Sequence, residues 1–184
     1  MKKILLVATV ALMSTLGAFA QGTVIFSNNA GTTILDANNG NAPIAVGQFS
    51  VALYWGTLGS IEGALVNIGP AGVNATQTTG VIAPGRYAGG TYTTGNGTAP
   101  AGNATFQVRA WRISDGATYE IASVKSGAFF GKSALFTSAT GGGVAPAVNL
   151  AGIAPGFSIN PVPEPATFAL LGLGALGFAL RRRK

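Results

Sequence analysis

Phe49-Ser50-Val51-Ala52-Leu53-Tyr54-Trp55 is the stretch on which the fold reading turns. Phe49, Val51, Leu53 and Trp55 alternate with Gln48, Ser50, Ala52 and Tyr54, the two-residue period of a strand with one buried face. Thr105 to Ile113 predicts a second strand. Ser114-Asp115-Gly116-Ala117 follows, then Thr118 to Val124, and Asp-Gly between two apolar runs predicts a hairpin. Further strands are expected at Thr23 to Ser27, Ala64 to Ile68 and Ser133 to Thr137, with weaker signals near Ile34, Val81 and Phe157. Loops rich in Gly, Asn and Thr, at Asp36 to Asn41, Gly69 to Gly80 and Gly89 to Gly102, separate these runs, and no long helical periodicity occurs outside the termini. The expected fold is all-β, an antiparallel β-sandwich of Ig-like or jelly-roll-like form. Gly141 to Pro161, uncharged and rich in Gly, Ala and Pro, reads partly as a last strand and partly as a linker that spaces the module from the membrane.

Composition narrows the function classes. The chain has 184 residues, of which 48% are hydrophobic and only 9% charged, against about 25% charged in ordinary soluble domains. The formal charge of +6 sits mostly at the ends. Between residues 21 and 160 the bases are Arg86, Arg109, Arg112, Lys125 and Lys132 and the acids Asp36, Glu62, Asp115 and Glu120, so 5 minus 4 leaves +1. A nearly neutral module offers no footprint for a phosphate backbone, so no nucleic acid is expected as a partner. The chain has neither cysteine nor histidine. Thiol and imidazole nucleophile systems and their metal sites are thereby absent, and neither metal nor cofactor is expected. Only carboxylate chemistry remains, with Asp115 and Glu120 across the expected hairpin as the one conceivable acid/base pair.

Both ends carry hydrophobic segments with cations on their outer sides. Lys2 and Lys3 precede the apolar run Ile4 to Met13, and Ala18-Phe19-Ala20 ends just before Gln21, which is the layout of a signal peptide with its signal-peptidase site at Ala18, Ala20 and Gln21. At the far end Pro161-Val162-Pro163-Glu164-Pro165 breaks regular structure, Thr167 to Leu180 is uncharged, and Arg181, Arg182, Arg183 and Lys184 form a stop-transfer cluster. As a helix the apolar part reaches only about 21 Å against a hydrocarbon core of about 30 Å, a marginal transmembrane helix suited to temporary anchoring. The positive-inside bias holds both termini in the cytoplasm and sends the residues between them across the membrane. The expected organisation is therefore a signal helix at 1–20, a secreted module at 21–160 and a sorting tail at 161–184.

Val162-Pro163-Glu164-Pro165-Ala166-Thr167, the apolar segment and the terminal Arg-Arg-Arg-Lys together resemble the PEP-CTERM sorting signal. That resemblance implies that Pro163, Glu164 and Pro165 are recognised by an exosortase, an integral-membrane cysteine protease or transpeptidase of bacteria that make exopolysaccharide. The Gln21-Gly22-Thr23-Val24-Ile25-Phe26 start, Val51 to Gly56, Phe106 to Trp111 and Phe130-Gly131-Lys132-Ser133 also resemble uncharacterised PEP-CTERM proteins, a likeness that carries no assigned activity.

The expectation is a non-enzymatic exported protein of the cell surface or extracellular matrix. It is handled by export machinery, signal peptidase and exosortase, held transiently in the inner membrane, and left at the cell surface, in the outer membrane or in the matrix. Two alternatives stay open. One is a carbohydrate-binding module acting on exopolysaccharide, with Tyr54 and Trp111 as a stacking platform; the other is a carboxylate-dependent hydrolase. Gly172-Leu173-Gly174-Ala175-Leu176-Gly177 has the dinucleotide-loop spacing, but the chain ends at Lys184 before the acidic residue such a site requires. Gly127 to Ser133 is one residue short of a phosphate-binding loop and reads as a turn entering a strand.

Overall fold

The structure, a computed structural model, describes residues 21–69, 72–73, 78–95 and 97–161. The signal peptide expected at 1–20 and the motif, apolar segment and basic cluster expected at 162–184 lie outside them. The strands are β1 (Thr23–Ser27), β2 (Ile34–Asp36), β3 (Ala42–Pro43), β4 (Phe49–Thr57), β5 (Val66–Gly69), β6 (Gly72–Val73), β7 (Thr79–Ala83) and β8 (Arg86–Thr93), followed by β9 (Asn103–Arg112), β10 (Phe129–Lys132), β11 (Phe136–Ala139), β12 (Val148–Asn149) and β13 (Phe157–Pro161). A single helical turn, α1 (Tyr119–Ala122), lies between β9 and β10.

The all-β expectation holds, and pairing is antiparallel except at β1–β12 and β13–β2 among the described residues. Hydrogen bonds run along one path, β12-β1-β8-β7-β4-β9-β10-β13-β2-β3, with β5, β6 and β11 branching from it, a curled open sheet compatible with a sandwich. That sheet curls around a main core. Val24 and Phe26 of β1, Ile34 of β2, Phe49, Val51, Leu53 and Trp55 of β4, Phe106 and Val108 of β9 and Ile159 of β13 all pack into it. The flanks are tied back by backbone bonds. Thr23 and Gly141 exchange N–H···O bonds of 3.1 and 2.7 Å, which join the chain just after β11 to β1.

Gly85 makes the second tie. It forms the β7–β8 turn, its N–H donates to Ile44 O at 2.9 Å, and its carbonyl accepts from Ile34 N at 3.0 Å and from the Asn28 amide at 3.0 Å. Its φ of +66° is open to glycine, and a Cβ there would stand 2.7 Å from Ile34 O. The chain can approach this closely only without a side chain.

Several expectations are corrected, among them the strand expected at Ser133 to Thr137, in whose place β10 ends at Lys132 and β11 begins at Phe136. The Asp115-Gly116 hairpin does not form, because such a turn needs positive φ at its central residues, whereas Gly116 is extended at 175° and Ile113–Asp115 is a 3-10 turn. Thr118 to Val124 is accordingly not a strand: Thr118 caps α1 by accepting from Ile121 N, and Tyr119 and Ala122, one helical turn apart, are the buried pair. The loop expected over Gly89 to Gly102 begins inside β8, where a Cβ on Gly89 would meet Tyr92 Oη at 2.7 Å and Phe26 Cδ1 at 2.8 Å. Glycine there serves close strand packing rather than a turn.

The stretch read as part strand and part linker is folded throughout. β12 pairs in parallel with β1, Leu150 and Ala154 are buried, and β13 lies inside the sheet between β10 and β2. The described module therefore extends to Pro161.

Candidate functional site

Strands β4 and β9 share the longest ladder of the fold, Phe49↔Arg112 through Thr57↔Ala104. One face of that pair lines the main core. The other was expected to be wet and is not, because α1 and its flanks fold over it and bury Ala52, Tyr54, Trp111, Tyr119 and Ala122 as a second cluster.

Arg109 is the polar centre of this face and is almost fully buried. Its guanidinium carbon lies 3.8 Å from the centroid of the Tyr54 ring and 5.1 Å from that of Tyr119. Nε donates to Gln107 Oε1 at 2.9 Å, Nη1 to Glu120 Oε1 at 3.4 Å and Nη2 to the Glu62 carbonyl at 3.3 Å. A desolvated cation on an aromatic face is worth about 2 kcal/mol. Tyr54 Oη donates to the same Glu120 oxygen at 2.7 Å. Burial, reinforced by that carboxylate, pushes the Tyr54 hydroxyl well above its ordinary value, and burial pushes Tyr119 up to about 12. Both phenols stay protonated at any physiological pH. Nearby, Lys132 pairs with Glu62 and holds its carboxyl below the usual carboxylate range.

Asp115 belongs to a different group. Its oxygens accept from Arg112 Nε at 2.9 Å and Nη2 at 3.1 Å and from Phe129 N at 2.8 Å, and Lys125 Nζ stands 3.7 Å away. Burial alone would raise its carboxyl, but these donors and cations outweigh burial and hold it below its ordinary value. The carboxylate pair conceived across a hairpin is thus divided. Asp115 is buried against Arg112, whereas Glu120 pairs with Arg109.

Tyr54 and Trp111 do lie on one face, as the glycan-platform reading required. Neither ring is presented to solvent, since they are 4% and 1% exposed. Arg109 covers the Tyr54 ring, and Tyr119 stands edge-on to both at 6.4 and 6.3 Å. The Trp111 indole N–H is used up on Gly116 O at 2.9 Å. This cluster fastens α1 to the sheet and leaves no stacking surface on these two residues. The signal that identifies it in sequence is the i, i+3 spacing of Tyr119 and Ala122 together with Arg109 inside a strand.

Of the other sequence-derived positions, Gln21 opens the described chain two residues before β1. Ala18, Ala20, Pro163, Glu164, Pro165, Arg181, Arg182, Arg183 and Lys184 lie outside the described residues. Among the described residues no group of three or more metal-ligating acidic side chains occurs, and no helix is long and apolar enough to cross a membrane. Among the described residues, one shallow hollow of about 370 Å³ is lined by Gly59, Ser60, Ile61, Thr105, Leu135 and Phe136, and another of about 370 Å³ by Gly47, Gln48, Arg112, Ile113 and Ser114.

Comparison with known families finds one match: residues 161–184 fit the PEP-CTERM protein-sorting motif. No curated protein and no solved structure matches the chain.

Proposed function

We propose, from a chain whose residues 161–184 carry the PEP-CTERM protein-sorting motif, that this is a non-enzymatic exported protein delivered by exosortase processing to the cell surface or extracellular matrix. Its signal peptide is removed before Gln21, its apolar tail holds the precursor in the inner membrane, and exosortase acts near Pro163-Glu164-Pro165. The curled sheet serves as a sandwich-like, self-sufficient body that needs no disulfide or metal to persist outside the cell.

The single observation that carries this reading is the sorting motif abutting a β-module that is folded up to Pro161. The polar cluster around Arg109 supports a structural part, since its cation, rings and carboxylate are engaged with one another. Replacing Pro163, Glu164 and Pro165 together by alanine is expected to leave the full-length precursor in the inner membrane, read by fractionation and immunoblotting. Wild-type processing of that variant would remove the motif from the sorting step.

A further inference from the structure

We infer that the module rests on the bilayer by one defined pole, the surface formed by the loops around Val46, Ile113 and Val124, for as long as its tail is in the membrane. The inference deepens the sorting reading above and rests on its anchor.

Position comes first. Pro161 ends β13 and pairs with Phe129, whose ring lies 4.4 Å below the Arg112 guanidinium and whose N–H is held by Asp115. Ile113 N donates to Gln48 O at 3.0 Å, and Lys125 Nζ to Ser114 O at 3.2 Å. Three loops therefore converge beside the point where the tail leaves. Each carries an exposed aliphatic residue, Val46 at 51%, Ile113 at 51% and Val124 at 82%.

Length comes second. Six Cα steps separate Pro161 from Thr167, where the apolar segment begins, and they reach at most about 20 Å. The headgroup layer takes up about 6 Å of that. A module of about 140 residues is about 35 Å across, so the remaining tether of about 14 Å is shorter than half the body it holds. The module cannot roll its opposite pole down to the lipid.

Exposure of apolar residues does not make this choice by itself. Leu58, Ile61 and Leu135 are comparably exposed near the hollow beside Thr105, about 23 Å away along β9 from Arg112. The tether selects between the poles. Charge contributes little: Arg112 and Lys125 surround the single carboxylate of Asp115, and Asp36, opposite Ile159 and capping its own turn, restores neutrality. Contact is expected to survive high salt, since it depends on tether length and aliphatic tips rather than on ion pairing.

The chain has no cysteine, so single labels report one site each. Ile113→Cys, Val124→Cys, Ile61→Cys and Leu135→Cys are made in the signal-cleaved precursor, residues 21–184, labelled with an environment-sensitive fluorophore and reconstituted in liposomes of phosphatidylethanolamine and phosphatidylglycerol. Quenching by a headgroup-attached nitroxide is expected to be at least two-fold stronger at 113 and 124 than at 61 and 135, in low and in high salt. Equal quenching at all four sites, or stronger quenching at 61 and 135, in a precursor that floats with the liposomes would overturn the inference and leave the anchor intact. A precursor that does not float would overturn the anchor reading and this inference with it.

Discussion

Ile159→Ala separates a folded C-terminal strand from a linker. Ile159 is fully buried in the main core, on a strand held by β10 on one side and by β2 on the other. Truncating a buried Ile to Ala costs about 2–5 kcal/mol, the removed methylenes plus the cavity left behind. The upper half of that range is expected here, because β13 is hydrogen-bonded on both edges and cannot shift to fill the space. At about 2.1 cal/mol/K of unfolding entropy per residue, a module of about 140 residues loses about 3–4 °C per kcal/mol, so Tm falls by about 10–20 °C. The measurement is scanning calorimetry of residues 21–161 with and without the substitution, accompanied by a urea titration. An unchanged m-value would show that the same surface is exposed on unfolding. A Tm shift below about 2 °C would mean that Ile159 is not in the core and that the chain after Asn149 is a spacer after all.

Gly85→Ala places a Cβ 2.7 Å from Ile34 O at a φ of +66° and should destabilise the module by at least about 2 kcal/mol, strain and clash together. Hydrogen exchange should show Ile34 and Tyr87 amides losing protection first, and unchanged protection would refute the tie between the β7–β8 turn and β2. Asp115 has a folded-state pKa below its unfolded one, so the unfolded chain takes up the extra proton as acid is added. Its stabilisation is complete above the ordinary carboxylate value of about 4 and is lost as pH falls through the lower folded value. Asp115→Asn should therefore cost about 1.5–3 kcal/mol at neutral pH and flatten the acid limb of the stability profile; a parallel downward shift at every pH would refute the assignment.

Local pattern made much of the fold legible. Thr23–Ser27 has the bounds expected of it, and the period-2 run at Phe49 to Trp55 lies within β4 because alternation along a strand is a local property. Thr105 to Arg112 forms most of β9 for the same reason. What failed was decided by partners distant in sequence. Asp115-Gly116 looks like a hairpin turn, but the Asp115 carboxylate has stronger partners in Arg112 and Phe129 N–H, fourteen residues on in the latter case, and bends the chain for them. Tyr54 looks like a solvent-facing ring because alternation reports that two faces differ, not what covers the second one.

The sequence by itself determined the β-rich class, the near-neutral module and the sorting tail, since alternation, charge position and a short motif are written in adjacent residues. Only the tertiary structure decided that Leu150, Ala154 and Ile159 belong to the core, that Arg109 is enclosed between two tyrosines, and that the tail leaves from the pole of Ile113 and Val124. Each of these depends on which distant strands pair, and pairing is a competition among hydrogen-bond ladders and buried area over the whole chain that no local window contains.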